Sequence, residues 1–454
     1  IALRDKGVSL SYAELAESID VFAGALQDLG LARYDRVAIL SGKRFEYVIS
    51  VFGVSAAGGA YVPVNNLLKP EQVAHIIRDC RATMIVTTAD RCPALLPVLH
   101  QCESLRHVVV IGATDVPEDS ALKIHTWDEL ISGGLTPQEV KIIGSDIASI
   151  MYTSGSTGKP KGVVLSHTNL LVGASSVANY IGNHPGDNIL AVLPFSFDAG
   201  LSQLTTGLYS GASVVLHDFF LPGDVVKLVA KEQVTGITGV PPLWIQLSEQ
   251  NWPEGSFESV RYFANTGGKM PKSVLDRLRE IFPAAEPFLM YGLTESFRST
   301  YLPPAEVDNR PDSIGKAIPN AEVLVVNERG NICKPGEVGE LVHRGPLVSL
   351  GYWNDSERTA ERFRPAPGRP TEIPNEELAV WSGDFVRKDE EGFLYFVSRR
   401  DEMIKTSGYR VSPSEVEDVV YDSGLASEVV ALGLPDDRLG QKIVLVAKAA
   451  DDGA

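Results

Sequence analysis

Cysteine is scarce in this chain and never occurs at metal-binding spacing. Cys80, Cys92, Cys102 and Cys333 are the four in 454 residues, and no two form a Cys-x-x-Cys pair. That excludes a zinc ribbon and a disulfide scaffold, while scattered thiols suit a reducing compartment, so a cytoplasmic location is expected. Positive charge is in deficit as well. Lys and Arg number 41 against 58 Asp and Glu, a net charge of −17, which argues against nonspecific nucleic-acid binding and anionic membranes yet leaves room for locally basic pockets. A long apolar run is also missing. The least charged stretch, Tyr47 to Val64, is broken by Gly53, Gly58, Gly59 and Pro63, so it reads as a buried helix feeding a strand, and no membrane span is expected. There is no internal repeat or low-complexity tract, and no signal-peptide pattern is visible.

What is present is an ordinary globular composition, 44% hydrophobic and 22% charged, in a length that allows two or more domains with sizeable cores. Helix and strand signals alternate along it. Ser11 caps an amphipathic segment ahead of the strand-like Arg36-Val-Ala-Ile-Leu40; a helix over Pro70 to Cys80 precedes Met84-Ile-Val-Thr-Thr88; a helix over Leu221 to Val234 precedes Gly236-Ile-Thr-Gly-Val240. This pattern predicts a layered α/β fold with largely parallel strands, each strand end a candidate ligand edge. From Asn309 the texture changes to Gly- and Pro-punctuated runs such as Ala321 to Val326, Gly339 to His343 and Gly392 to Val397, which predicts a smaller β-rich subdomain. Pro365, Pro367, Pro370 and Pro374 predict an exposed loop over Arg364 to Glu377. Beyond Arg399, a helix over Ser412 to Ser423 and a strand over Glu428 to Leu432 begin another α/β unit.

The densest chemistry lies between Tyr152 and His167. Thr153, Ser154, Gly155, Ser156, Thr157, Gly158, Lys159, Pro160 and Lys161 crowd hydroxyls, glycines and cations into one turn. That is the composition of a loop built around a polyphosphate: Gly155 and Gly158 let backbone N–H groups point inward, and Lys159 and Lys161 add charge. A Walker loop would need four residues between its glycines and a helix afterwards. Here two residues separate them, and Val163-Val164-Leu165 reads as a strand, so strand, loop, strand is expected.

Three further groups stand out. Tyr291-Gly292-Leu293-Thr294-Glu295 follows the strand-like Pro287 to Met290, placing a hydroxyl and a carboxylate just past a strand end, where Glu295 suits Mg²⁺ and Thr294 a phosphate oxygen. Ser382-Gly383-Asp384 and Arg399-Arg400-Asp401 offer a ribose-binding carboxylate and a cation; each alone reads equally as solvated surface.

In this order, together with Gly58-Gly-Ala-Tyr-Val-Pro63 and Arg399 to Gly408, these motifs closely resemble the adenylate-forming (ANL) superfamily of acyl-CoA ligases, peptide-synthetase adenylation domains and firefly luciferase. Arg310 to Asn320 and Ile404 to Pro413 look especially like the AMP-forming acyl-CoA ligases associated with exosortase systems. The resemblance implies a large domain over 1–398 with its β-rich part over about 309–398, a hinge at 399–401, and the start of a small mobile α+β domain over 402–454. It implies ATP and Mg²⁺ as reactants, with CoA or a phosphopantetheine as acceptor. The carboxylate of an acid attacks the α-phosphate of ATP to give acyl-AMP and pyrophosphate, then a thiol displaces AMP. Catalysis is then positioning and charge neutralisation, with no protein nucleophile.

By the same resemblance, Thr153 to Lys161 hold the β- and γ-phosphates, Thr294 the α-phosphate and Glu295 the metal. Tyr291 and Gly292 lie on the adenine side, with Gly267 and Gly268 opposite. Asp384 takes the ribose hydroxyls and Arg399 the ribose or phosphates. Asp401 matches the hinge, and Lys405, Ser407 and Gly408 line the thiol channel. Ser398 replaces a common Gly, and Arg400 is additional. No Pro-x-x-x-x-Gly-Lys segment occurs before Ala454, so the family's adenylation lysine is expected beyond it, and this chain alone is expected to adenylate poorly.

The acid pocket is expected around Phe197, Asp198, Val240, Trp244 and Gly267. Asp198 raises an amino acid substrate, since a relative's carboxylate at this position binds an ammonium, although some fatty- and aryl-acid ligases carry Asp there with no amine to bind. Trp244 reads as a floor for the acyl group or as core. An acid–thiol ligase making acyl-CoA is the leading expectation. Loading of an acyl carrier protein with an acyl or amino acid group, amide formation, and a noncatalytic nucleotide-binding regulator are the alternatives.

Overall fold

Strands such as Arg36–Leu40 and Met84–Thr88 are too apolar to face water on either side, and they alternate with helices that bury one stripe, such as Val73, Ile76 and Ile77 of Pro70–Cys80. The outcome is the layered α/β fold that the alternation predicts. The computed structural model describes residues 1–112, 121–153, 160–370, 372–399, 404–406, 409–411, 413–436 and 440–449. The chain forms two compact units, one of Ile1–Ser299 with Ile318–Ala321 and Gly345–Glu361, the other of Thr300–Ala317 with Glu322–Arg344 and Arg362–Ala454.

The first unit carries two parallel arrays. In one, the strand order is Lys123–Thr126, His107–Ile111, Met84–Thr88, Arg36–Leu40, Ala60–Pro63, Ile147–Thr153, Lys161–Ser166, parallel until the last pair, which is antiparallel. That last pair is the strand, loop, strand expected around the phosphate loop. Tyr47 to Val64 also folds as read: the helix Phe45–Ala56 turns at Gly58, φ +86°, into the strand Ala60–Pro63. Cys80, Cys92 and Cys102 are core fillers beneath this sheet, and all four cysteines are free and buried. In the other array the order is Glu286–Tyr291, Tyr262–Asn265, Gly236–Gly239, Asn188–Ala191, Ser213–Leu216, Leu3–Asp5, Val8–Leu10, parallel from Glu286–Tyr291 to Leu3–Asp5.

Each array has a topological switch point. Arg36–Leu40 pairs with Ala60–Pro63 on one side and Met84–Thr88 on the other; Asn188–Ala191 lies likewise between Gly236–Gly239 and Ser213–Leu216. Ligands in such sheets bind outside the carboxyl ends of strands at these points. Lys43, just past Arg36–Leu40, sends its buried ammonium to the carbonyls of Val192 at 3.1 Å and His217 at 2.8 Å, both just past strands of the second array. The two switch points are thereby tied together.

The second unit is mainly antiparallel. One array runs Glu322–Val326, Val338–Arg344, Leu378–Lys388, Leu394–Arg399, Ser313–Ala317, Thr300–Leu302, and a second runs Tyr409–Val411, Ile404–Thr406, Gly440–Ala449, Ala426–Asp436 beside the helix Pro413–Asp422. The proline-rich stretch from Arg364 differs slightly from its expected loop, because Phe363–Pro365 pairs with Leu378–Lys388 before the prolines end it. No helix among the described residues is long and apolar enough to cross a membrane.

Candidate active site

Four neighbouring parallel strands deliver the flagged motifs to one edge of the second array in the first unit. Asn188–Ala191 leads to Phe197 and Asp198, Gly236–Gly239 to Val240, Tyr262–Asn265 to Gly267 and Gly268, and Glu286–Tyr291 to Gly292, Thr294 and Glu295. All four are carboxyl ends. Gly267 has φ +77°, and a Cβ there would meet Val240 at 3.3 Å, so the glycine keeps this turn close to its neighbour.

Glu295 lies in the short helical turn Thr294–Ser296 and is nearly fully buried. Lys161, at the start of Lys161–Ser166, places Nζ 2.9 Å from Glu295 Oε1. Tyr352 completes the cluster: its hydroxyl donates to the same oxygen at 2.5 Å and accepts from Lys161 at 2.8 Å. Lys161 and Glu295 were expected on phosphates and metal respectively; in the structure they hold each other. Tyr352 carried no signal in the sequence, since Gly-Tyr-Trp in a loop has no motif chemistry of its own. Thr153 is half-buried, and its Oγ1 has no hydrogen-bond partner among the described residues. Ser154, Gly155, Ser156, Thr157, Gly158 and Lys159 lie outside the described residues.

Near the end of the strand Ile147–Thr153, the Tyr152 hydroxyl donates to the Asp79 carboxylate, and the Trp353 indole donates to the Asp79 carbonyl at 3.0 Å. Burial pushes the Tyr152 phenol far above its usual range, so it stays a donor. The strand entering the loop is thus pinned at its last turn.

Asp198 opens the helix Asp198–Tyr209, where the Ala199 N–H donates to Oδ1 at 2.7 Å. Its other oxygen faces Arg298 Nη1 at 3.8 Å. Burial raises the Asp198 carboxyl, and Arg298 opposes that rise. Asp198 therefore already has a cation from the chain itself, which weakens the case for an ammonium substrate. Arg298, another residue without a motif signal, is buried, its Nε has no hydrogen-bond partner among the described residues, and it lines a small cavity with Ala199, Gln203, Thr238 and Met290. Phe197 is exposed, whereas Trp244 is fully buried, its indole N–H donating to the Ala264 carbonyl at 3.2 Å and its ring edge-on to Phe263. Of the two readings of Trp244, the structure supports core.

In the second unit, Asp384 and Arg399 are cross-strand partners, with Arg399 Nε 3.4 Å from Asp384 Oδ1. The Asp384 carboxylate is held where Gly383, φ +72°, turns the strand, and the Ser382 hydroxyl accepts from its backbone N–H at 3.1 Å. Lys405 lies in the strand Ile404–Thr406, with its side chain outside the description; Asp401, Ser407 and Gly408 lie outside the described residues.

A layered α/β fold in which two antiparallel strands flank residues 154–159, with a partly buried carboxylate–ammonium–phenol cluster at the start of the second strand, has the architecture of a ligand-binding class whose sites lie at strand carboxyl ends. The chain belongs to the AMP-binding enzyme family of the ANL superfamily, whose family model matches residues 1–353. It is 30% identical over 481 residues to a long-chain-fatty-acid–CoA ligase of Salmonella typhimurium, covering 99% of this chain and 83% of that protein. It is 31% identical over 434 residues to tyrocidine synthase 3 of Brevibacillus parabrevis, covering 94% of this chain and spanning only 6% of that protein's length. Among solved structures, o-succinylbenzoate coenzyme A synthetase (MenE) from Bacillus subtilis, in complex with ATP and magnesium ion, superposes with a TM-score of 0.81 at 27% identity, covering 100% of this chain and 88% of that one.

Proposed function

We propose that the chain activates a carboxylic acid with ATP and transfers the acyl group to the thiol of CoA. In the first step an acid oxygen bonds to the α-phosphorus, the bond from that phosphorus to the bridging oxygen breaks, and pyrophosphate leaves. In the second, the thiol gives up its proton, its sulfur bonds to the acyl carbon, the bond from that carbon to the phosphate oxygen breaks, and AMP leaves. The observation that carries this reading is the buried Glu295–Lys161 pair, with Lys161 at the downstream end of the phosphate loop and Glu295 at the parallel-strand edge, in a chain of this family. Lys161 and Thr153 would bind the β- and γ-phosphates, Thr294 the α-phosphate, and Tyr291 with Gly267 and Gly268 the adenine. Asp384, whose carboxylate can accept from both ribose hydroxyls, would hold the sugar beside Arg399.

Glu295 fits a magnesium ion as one carboxylate among phosphate oxygens and waters, the donor set such an ion prefers. Among the described residues no group of three or more His, Cys, Asp or Glu forms a metal cage of its own. When bound, the ion neutralises charge on the transferring phosphates. Domain alternation about Asp401, the thiol channel of Lys405, Ser407 and Gly408, a cytoplasmic setting and the narrower likeness to exosortase-associated ligases belong to the same proposal and rest on the sequence.

A second reading, loading of a phosphopantetheinyl carrier protein, is favoured by the likeness to tyrocidine synthase 3. Hydroxylamine trapping of acyl-AMP over a panel of fatty, aryl and amino acids should yield a hydroxamate with one class. Acceptor assays with CoA, a loaded carrier and free amines then separate the readings. A chain that traps no hydroxamate and exchanges no pyrophosphate with any acid would overturn the proposal.

A further inference from the structure

Two separate segments send a donor to one carboxylate oxygen carried by a third. Lys161 Nζ and the Tyr352 hydroxyl both lie within hydrogen-bond distance of Glu295 Oε1, at 2.9 and 2.5 Å, and the ammonium also stands 4.3 Å from the centre of the Tyr352 ring. A phenol has a single proton, so the triangle has one arrangement: Tyr352 donates to Glu295 and accepts from Lys161. Tyr352 is fixed there by its backbone. Its segment is zipped to Lys161–Ser166 by Leu350 N–H to Val164 O at 2.8 Å, Val164 N–H to Gly351 O at 2.9 Å and Trp353 N–H to Gly162 O at 2.7 Å. The lysine of the phosphate loop therefore occupies an oxygen of the only carboxylate that the proposed function gives to a divalent cation.

We infer that Lys161 and the divalent cation compete for Glu295, with Tyr352 as the positioning residue that presents the carboxylate, so that metal and triphosphate bind to this chain cooperatively. The inference rests on the reading above for the metal at Glu295. In a buried, low-dielectric site, a metal arriving alone displaces an ammonium that then has no counter-charge. A triphosphate arriving alone draws the ammonium away and leaves the Glu295 carboxylate without that counter-charge, holding the Tyr352 hydroxyl. Together they exchange partners, Lys161 going to phosphate as the metal takes Glu295. Each ligand removes the obstacle to the other, and such coupling is reciprocal.

Mn²⁺ is the probe, with its binding to the nucleotide-free chain read by electron paramagnetic resonance. Lys161→Met should tighten Mn²⁺ binding by on the order of tenfold, within the range usual for coupled sites. Adding Glu295→Gln should abolish that gain. Adding Tyr352→Phe to Lys161→Met keeps the carboxylate and removes the phenol, and should return part of the gain. Equal Mn²⁺ affinity in wild type and Lys161→Met, or a gain that survives Glu295→Gln, would overturn the inference. Should Lys161→Met not fold, the wild-type chain still decides: binding of a nonhydrolysable ATP analogue, measured across Mn²⁺ concentrations and corrected for the metal–nucleotide complex in solution, should show positive coupling, and a coupling factor of one sinks the idea. None of these readouts needs turnover. A chain that traps no hydroxamate yet shows the competition loses the functional reading and keeps this one; the reverse outcome separates them equally.

Discussion

Residues that carry no motif set the shape of the site. Phe297 follows the Thr294–Ser296 turn with φ +58°, a conformation costly for an aromatic residue, and is paid for by complete burial of its ring. A Cβ at Gly173 would stand 2.4 Å from the Phe297 ring, so Gly173→Ala must push that ring and the turn bearing Glu295 and Arg298. We expect a loss of about 1–3 kcal/mol, as for other overpacked cores, visible as a lower urea midpoint with unchanged slope. At the pocket edge, Arg298→Met leaves the half-buried Asp198 without its cation, at a cost below the ~3–5 kcal/mol of a fully buried pair because the carboxylate is partly exposed and the pair is 3.8 Å apart. The sign follows from Asp198's raised carboxyl pKa: the folded state binds a proton more readily than the unfolded chain, so the variant is least penalised in acid and loses stability as pH rises toward neutrality. Asp198→Asn in the same background should restore most of the loss; no restoration would show that Arg298 acts by packing alone.

At the scale of elements, one asparagine joins three of them. Ser166 caps the helix His167–Ile181, accepting from Asn169 N–H at 3.1 Å, while Asn169 Oδ1 accepts from Ser166 N–H at 2.8 Å. The Asn169 amide also donates to Pro346 O at 2.7 Å and Val348 O at 2.9 Å, anchoring the segment that carries Tyr352. Asn169→Ala should cost about 2 kcal/mol, a cap plus buried bonds, and should weaken nucleotide binding more than Ser166→Ala, which removes the cap alone. Equal effects on binding would show that the Tyr352 segment is held elsewhere. The same element shows what was legible. The strand at Val163 to Leu165, the helix over Pro70 to Cys80 and the capping Ser11 were readable, because local pattern and capping chemistry fix them within a few residues. Lys161 and Glu295 stood out in the sequence as residues suited to phosphate and metal, and the structure pairs them with each other. Their contact with Tyr352, 191 residues from Lys161, was not, nor was Arg298 opposite Asp198. Tertiary pairing alone brings such partners together, and nothing in a Gly-Tyr-Trp triplet announces it.

Across the whole molecule, each unit carries a buried histidine that must shed its proton to fold. His107 in the first unit and His343 in the second are both held at about 4, in each case chiefly by burial. His107 is further discouraged from charging by His125, whose Nε2 lies 3.1 Å from its Nδ1, and by Lys123 and Arg106. Because the unfolded chain protonates these rings near pH 6.5, it binds more protons than the folded state between pH 6.5 and 4, and stability falls as pH drops through that window. Each histidine contributes up to roughly 3 kcal/mol. The carboxylates act lower. Asp187, held at about 2 against its own desolvation by Arg261, Asn183 and Thr235, loses its contribution only between its usual value and pH 2. The net charge of −17 works against the histidine effect, since its self-repulsion weakens as the chain takes up protons, so the decline is the balance of the two. Thermal midpoints should therefore stay level from pH 8 to 6.5 and decline below it. His343→Leu should flatten the decline of the second unit while sparing the first, and a decline unchanged in His343→Leu, or one that begins only below pH 4, would assign acid sensitivity to the carboxylates.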